Sequence, residues 1–307
     1  MSAVATPPAS AAASPPPVTT GWIDALLTGT TPEALADQFP VESDWLRQDA
    51  GSDPARVDAG LLDRLLAEIP AAGATLRAGI EALRQEGTAA GDRKWLTLYA
   101  HAAELRRQHR LTTVLTAAPR IVFIKRRTIR PSFFAYTEGQ SDAQAESHFL
   151  PGSELCLLEM QGTRAKVSTL LADKTGMLRD PAVSWDGRKI AFAWKKSHRE
   201  DDYHLYEIDP AGTTPRQLTS GEGVADFEPA YLPEGGFIFS STRCVQTVDC
   251  FWTEVSNLYT CDADGQHIRR LGFDQVHTVY PQVLDDGRIV YTRWDYNDRG
   301  QVYPQPL

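Results

Sequence analysis

One phrase recurs three times in the C-terminal part of the chain. It first reads Asp180-Pro181-Ala182-Val183-Ser184-Trp185-Asp186-Gly187-Arg188-Lys189-Ile190-Ala191-Phe192. It returns as Phe227-Glu228-Pro229-Ala230-Tyr231-Leu232-Pro233-Glu234-Gly235-Gly236-Phe237-Ile238-Phe239, and again as Val279-Tyr280-Pro281-Gln282-Val283-Leu284-Asp285-Asp286-Gly287-Arg288-Ile289-Val290-Tyr291. The prolines lie 48 and 52 residues apart, the period of a four-stranded propeller blade. Within each copy, proline is expected to open a short strand where no ladder N–H is needed. A glycine turn follows, because a tight hairpin requires positive φ. The β-branched and aromatic run after it suits a strand buried between blades.

A second phrase completes the unit. Leu205-Tyr206-Glu207-Ile208-Asp209-Pro210-Ala211-Gly212 followed by Arg216-Gln217-Leu218-Thr219 is echoed 53 residues later by Leu258-Tyr259-Thr260-Cys261-Asp262-Ala263-Asp264-Gly265 and Arg269-Arg270-Leu271. These are the third and fourth strands of a blade. Pro119-Arg120-Ile121-Val122-Phe123-Ile124 opens the propeller, and residues 126–152 read as a long irregular insertion. Leu155-Cys156-Leu157-Leu158 then stands in the place of Leu205-Tyr206, and Val167 to Leu171 in that of Arg216 to Leu218. The expected blades are 119–172, 178–220, 224–272 and 276–307, so about three and a half are present. The fold class is therefore mainly β: an incomplete propeller over 118–307, preceded by a small α-helical region. A ring of four to eight blades stays open at this count, leaving unpaired edge strands at both ends. The expectation is that the chain is a fragment of a longer polypeptide, or that a protein partner completes the propeller.

Upstream, residues 1–20 are almost entirely Ala, Ser, Pro and Thr, a composition that does not offset its ordering entropy. Residues 21–117 read as helices. Trp22 to Leu27 begin a short one, and Thr31-Pro32-Glu33 pairs an N-cap with proline at the first helical position. Val57, Leu61, Leu62, Leu65, Leu66 and Ile69 form a helical stripe, as do Leu76, Ile80 and Leu83. The longest helix is expected from about Asp92 to Leu115, with Trp95 and Tyr99 packing it onto the propeller. A net charge of −9 and a pI near 5.3 argue against a nucleic-acid partner. No apolar run reaches membrane-spanning length, and no signal peptide is visible at the N-terminus.

The repeats, read as Pro…Asp-Gly…Ile-x-Phe and Leu-Tyr…Asp-x-x-Gly…Gln-Leu-Thr, resemble TolB-type propeller repeats of the PD40 kind. Longer stretches resemble the bacterial hydrazine synthase alpha subunit-like family. Among them are Asp202-Tyr203-His204-Leu205-Tyr206-Glu207, Ser241-Thr242-Arg243-Cys244-Val245-Gln246-Thr247-Val248-Asp249-Cys250, Asp274-Gln275-Val276-His277, and Tyr291-Thr292-Arg293-Trp294-Asp295-Tyr296-Asn297-Asp298-Arg299-Gly300. The resemblance covers about 119–307. It implies a propeller within a longer, extracytoplasmic or periplasmic protein, and in the synthase subunit itself additional c-type haem domains. This sequence departs from that pattern: it has no Cys-x-x-Cys-His motif, so no cofactor is expected in this chain, and any c-type haem would belong to sequence outside it.

Several residues are candidates for function. His204 and His277 lie at a strand start and a blade entry, where they would face the channel or its rim as ligands, or else serve as hydrogen-bonded structural histidines. Trp294, Asp295, Asn297, Asp298 and Arg299 form a dense polar and aromatic run, suited to a binding lip, a cation site or an interblade stacking cluster. Cys244 and Cys250 are spaced for a disulfide pinning the long loop after Phe239, with two free thiols as the alternative in a reducing compartment. Asp226 and Asp202 read as loop caps near strand starts, and Lys195-Lys196 as solvated loop charges. No structural-zinc spacing, nucleophile elbow, P-loop or dinucleotide fingerprint is present. The leading expectation is a non-catalytic binding or docking platform; the alternative is the propeller portion of a c-type haem oxidoreductase.

Overall fold

Local capping chemistry sets the helices. The computed structural model describes residues 20–69, 74–127, 150–161, 164–197, 202–211, 214–248 and 254–294, and the chain divides into two compact units. The first holds α1 (Gly21–Leu27), α2 (Pro32–Gln38), α3 (Pro40–Ala50), α4 (Ala59–Ala67), α5 (Ala74–Gln85) and α6 (Arg93–Ala117). Thr31 Oγ1 accepts from Ala34 N–H, Asp58 from Leu61 N–H and Asp92 from Lys94 N–H, so each of these side chains satisfies a donor that the first turn leaves open. Helix α3 was not expected from the sequence. Its signals are Pro40 in the first turn and Gly51 (φ 64°) as a left-handed C-cap. The apolar stripes meet in one core that includes Trp22, Leu46, Leu62, Ile80 and Leu96. Trp95 and Tyr99 belong to that same core rather than standing out as a docking face. Tyr99 OH donates to Asp49, which also takes a bidentate ion pair from Arg106. Residues 159–161 and 164–166 group with this unit, where Arg164 reaches Glu42 at 3.1 Å.

The second unit is the incomplete β-propeller. Its strands are β1 (Arg120–Arg126), β2 (Ser153–Gln161), β3 (Arg164–Asp173), β4 (Met177–Val183), β5 (Ile190–Lys195), β6 (His204–Ile208), β7 (Arg216–Gln217), β8 (Asp226–Tyr231), β9 (Phe237–Ser241), β10 (Asn257–Cys261), β11 (Arg269–Arg270), β12 (Thr278–Val283) and β13 (Ile289–Arg293). Two sheets are complete four-stranded blades, β4-β5-β6-β7 and β8-β9-β10-β11, each antiparallel throughout. On either side lie the three-stranded β1-β2-β3 and the two-stranded β12-β13.

The repeated proline sits inside the inner strand, not at its start. In β4, β8 and β12 the register shifts between Arg179 and Ala182, Phe227 and Ala230, and Val279 and Gln282. Each shift is a bulge holding the residue–proline pair, so the missing proline N–H costs no ladder bond. The residue before proline is left-handed every time: Asp180 at φ 53°, Glu228 at 56° and Tyr280 at 56°. Non-glycine residues adopt this conformation only where their surroundings compensate a cost of about 1–3 kcal/mol.

Matching bonds between blades fix which strand is which. Asp226 N–H donates to Tyr203 O just before β6, and Thr278 N–H to Ser256 O just before β10. Leu178 N–H donates to Ser153 Oγ at the start of β2. Strand β2 thus holds the third position of its blade, as β6 and β10 do, and β1 holds the second. Arg120-Ile121-Val122-Phe123 is accordingly the counterpart of Arg288-Ile289-Val290-Tyr291 and Lys189-Ile190-Ala191-Phe192. Among the described residues, the first blade has no inner strand.

Candidate functional site

The inner strands β4, β8 and β12 surround a cleft of about 610 Å³. The bulges place Asp180, Glu228 and Tyr280 in its wall, with Trp185, Tyr231 and Gln282 nearer the turns that join each inner strand to the next strand of its blade. The left-handed residues are tied to each other across blades. Glu228 N–H donates to Asp180 Oδ2 at 3.2 Å, and Tyr280 N–H donates to Glu228 Oε2 at 2.7 Å. Arg179 lies behind them, its Nε 2.5 Å from Asp180 Oδ2 and its Nη2 3.2 Å from Glu228 Oε1. Ser240 Oγ donates to Glu228 Oε2 at 2.7 Å. The guanidinium also stands 5.0 Å from the Phe227 ring centre and 5.6 Å from that of Tyr203.

Two carboxylates thus share one guanidinium, and Glu228 is the more deeply buried of the two. Burial pushes Glu228 up to about 7; Arg179 opposes that rise and the Asp180 charge adds to it. The rim of the cleft is aromatic. Trp185 is 54% exposed, and its indole is held in place by a 3.0 Å bond from Nε1 to Tyr231 O. Tyr280 is 40% exposed. Such a wall can receive a cationic or hydrogen-bonding group: the carboxylates supply charge and the rings supply faces.

None of these residues was among the sequence-derived candidates. The available signal was an acidic residue directly before proline at the same place in two of the three copies. The residues that were singled out lie elsewhere. His204 begins β6 and is buried, its Nδ1 3.6 Å from the buried Asp226 carboxylate. Asp226 also accepts from Ser241 at 2.6 Å and from both Nε and Nη2 of Arg243. Burial would raise the Asp226 carboxyl, but the His204 ring beside it and the hydrogen bonds from Arg243 and Ser241 outweigh it and hold the group below its usual range. It is a fully bonded internal charge rather than a loop cap.

His277 is 2% exposed, accepts from Ser256 N–H at Nδ1 and stacks on Trp294 with ring centres 5.2 Å apart. Burial lowers it to about 3, so it is a neutral imidazole with its proton on Nε2. Trp294 is buried with Val248, Val255 and Val276. Asp295, Asn297, Asp298, Arg299 and Cys250 lie outside the described residues. Cys244 carries a free thiol, 3.0 Å from Val255 O. Lys195 is not a solvated loop charge: it ends β5, buried, with its amine 6.0 Å from the Tyr203 ring centre. Among the described residues no group of three or more His, Cys, Asp or Glu side chains is arranged to hold a metal, and no helix is long and apolar enough to cross a membrane.

No protein-family model matches the chain, and no curated protein matches it. Several solved structures do. TolB from Acinetobacter baumannii is 18% identical, with 50% of this chain and 34% of that one covered and a TM-score of 0.38. Hydrazine synthase from Kuenenia stuttgartiensis is 18% identical over 57% of this chain and 28% of that one, at a TM-score of 0.43. A puromycin-hydrolyzing peptidase from Mycobacterium tuberculosis is 11% identical over 61% and 26%, at 0.36. The chain spans about a third of the TolB and little over a quarter of the other two. The propeller assignment rests on the strand order and the blade-to-blade bonds described above.

Proposed function

We propose that the propeller unit is a non-catalytic binding platform and that the cleft between β4, β8 and β12 takes a cationic side chain or small cation. The observation that carries this reading is the charge balance of the cleft wall: Asp180 and Glu228 face a single guanidinium, with Trp185 and Tyr280 beside them. An entering ammonium or guanidinium would supply the second positive charge and stack on the rings. In the same proposal the unit works as part of a longer, extracytoplasmic assembly, as the resemblance to hydrazine synthase alpha subunit-like proteins implies, and any haem belongs to other parts of that assembly.

The test uses three small probes: Nα-acetyl-arginine amide, Nα-acetyl-lysine amide and the neutral Nα-acetyl-glutamine amide. Binding is followed by amide chemical shifts. The cationic probes are expected to bind and to shift Asp180, Trp185 and Tyr280, and Trp185→Ala is expected to weaken them about fivefold. Equal binding of the neutral probe, or no binding of any, would contradict the reading.

A further inference from the structure

The bonds between left-handed residues follow a rule that the first blade leaves open. The carboxylate before proline in one blade accepts from the N–H of the matching residue in the next: Asp180 from Glu228, and Glu228 from Tyr280. Asp180 is itself such a residue, with φ 53° in the same bulge. Its N–H therefore faces the position of the first blade's inner strand, and no carboxylate of the described residues reaches it. The strand that would flank that position, β1, has β2 as its one strand partner among the described residues.

Strand β1 also carries the sequence of an interior strand. Its counterparts β5 and β9 are almost wholly buried. In β1 the pattern is only half-buried, and Ile121 is 38% exposed. An apolar, β-branched strand with one edge unpaired among the described residues is a template for another strand.

We infer that the edge of β1 left without a strand among the described residues docks an extended segment from outside this chain in which Asp or Glu directly precedes proline. That segment forms the inner strand of the first blade, and its carboxylate accepts from Asp180 N–H. The acidic residue sets the register: it must fall opposite the bulge, where proline needs no ladder bond and the left-handed turn aims the carboxylate at the next blade. This inference stands apart from the cation reading, because it rests on a backbone donor and a strand edge rather than on the charge of the cleft.

The chain's own third blade supplies the probe. A labelled peptide copying residues 224–232, Val-Ala-Asp-Phe-Glu-Pro-Ala-Tyr-Leu, is titrated into the full chain beside the same peptide carrying the E228Q change. The acidic peptide is expected to bind at least ~10-fold more tightly, the scale of one charge-assisted hydrogen bond, and to protect residues 120–126 from hydrogen exchange. Equal affinity of the two peptides would overturn the inference, as would no binding by either or protection confined to other strands. A concentration-dependent dimer that the peptide dissolves would also overturn it, by identifying a second copy of this chain as the occupant. No variant of the protein is needed, so a folding defect cannot imitate either result.

Discussion

Strands β5 and β1 are built from nearly the same words, Ile190-Ala191-Phe192 and Ile121-Val122-Phe123, yet they live in different environments. Phe192 is fully buried, 6.1 Å from the Tyr206 ring centre, whereas Phe123 is half-buried. The difference is not in the strand but in what stands beside it. Between its neighbours β4 and β6, β5 is an interior strand; β1 has β2 alone among the described residues. The same contrast separates the complete blades β4–β7 and β8–β11 from the partial ones at either side. A propeller strand therefore draws its stability from neighbouring strands and blades, and the sequence of one phrase does not reveal whether they are present.

The largest expected effect lies at the entry to the last blade. His277 is lowered to about 3, below its unfolded value near 6.5, so the folded state binds fewer protons. Its contribution to stability is whole above pH 6.5 and is lost as pH falls toward 3, on the order of 5 kcal/mol in all. Acid unfolding followed by circular dichroism should show this loss, and His277→Gln should flatten it.

Next in size is the pair of phenylalanines. Phe192→Ala should cost about 3–5 kcal/mol in urea unfolding, the range for a buried aromatic, and Phe123→Ala about 1–2 kcal/mol. Equal losses would break the contrast between complete and partial blades.

Smaller again is the effect of Glu228, whose sign is opposite to that of His277. Its folded value of about 7 lies above the ordinary 4.5, so its contribution is full below pH 4.5 and is lost as pH rises to 7. Relative to Glu228→Gln, the native chain should lose up to about 3 kcal/mol over that window. Thermal melts at half-unit pH steps would show it. A native-minus-variant difference independent of pH would mean that Arg179 compensates the carboxylate fully.

The blades were legible in the sequence because each depends on short-range chemistry. Gly187, Gly235, Gly236 and Gly287 all have positive φ at their turns, as the Asp-Gly and Gly-Gly signals require. The helix caps at Thr31 and Asp92 are local in the same way. The cleft was not legible. Two of the partners of Glu228 are distant in sequence: Arg179, 49 residues earlier, and the amide of Tyr280, 52 later. An acidic residue before proline looks like a strand-edge charge until the blades are set side by side. The histidines read either way in the sequence, as rim ligands or as structural residues; in the structure His204 and His277 fill interior positions, where one lies 3.6 Å from a carboxylate and the other accepts from a backbone amide.

Three backbone amides carry the blade-to-blade pattern, and hydrogen exchange of Asp180, Glu228 and Tyr280 by NMR tests it most directly. The predicted result is slow exchange at Glu228 and Tyr280, the latter despite an exposed side chain, and exchange at least ~10-fold faster at Asp180, whose amide meets no carboxylate among the described residues. Adding the acidic 224–232 peptide should slow Asp180 toward the other two. Equal protection of all three amides in the chain alone would contradict the account.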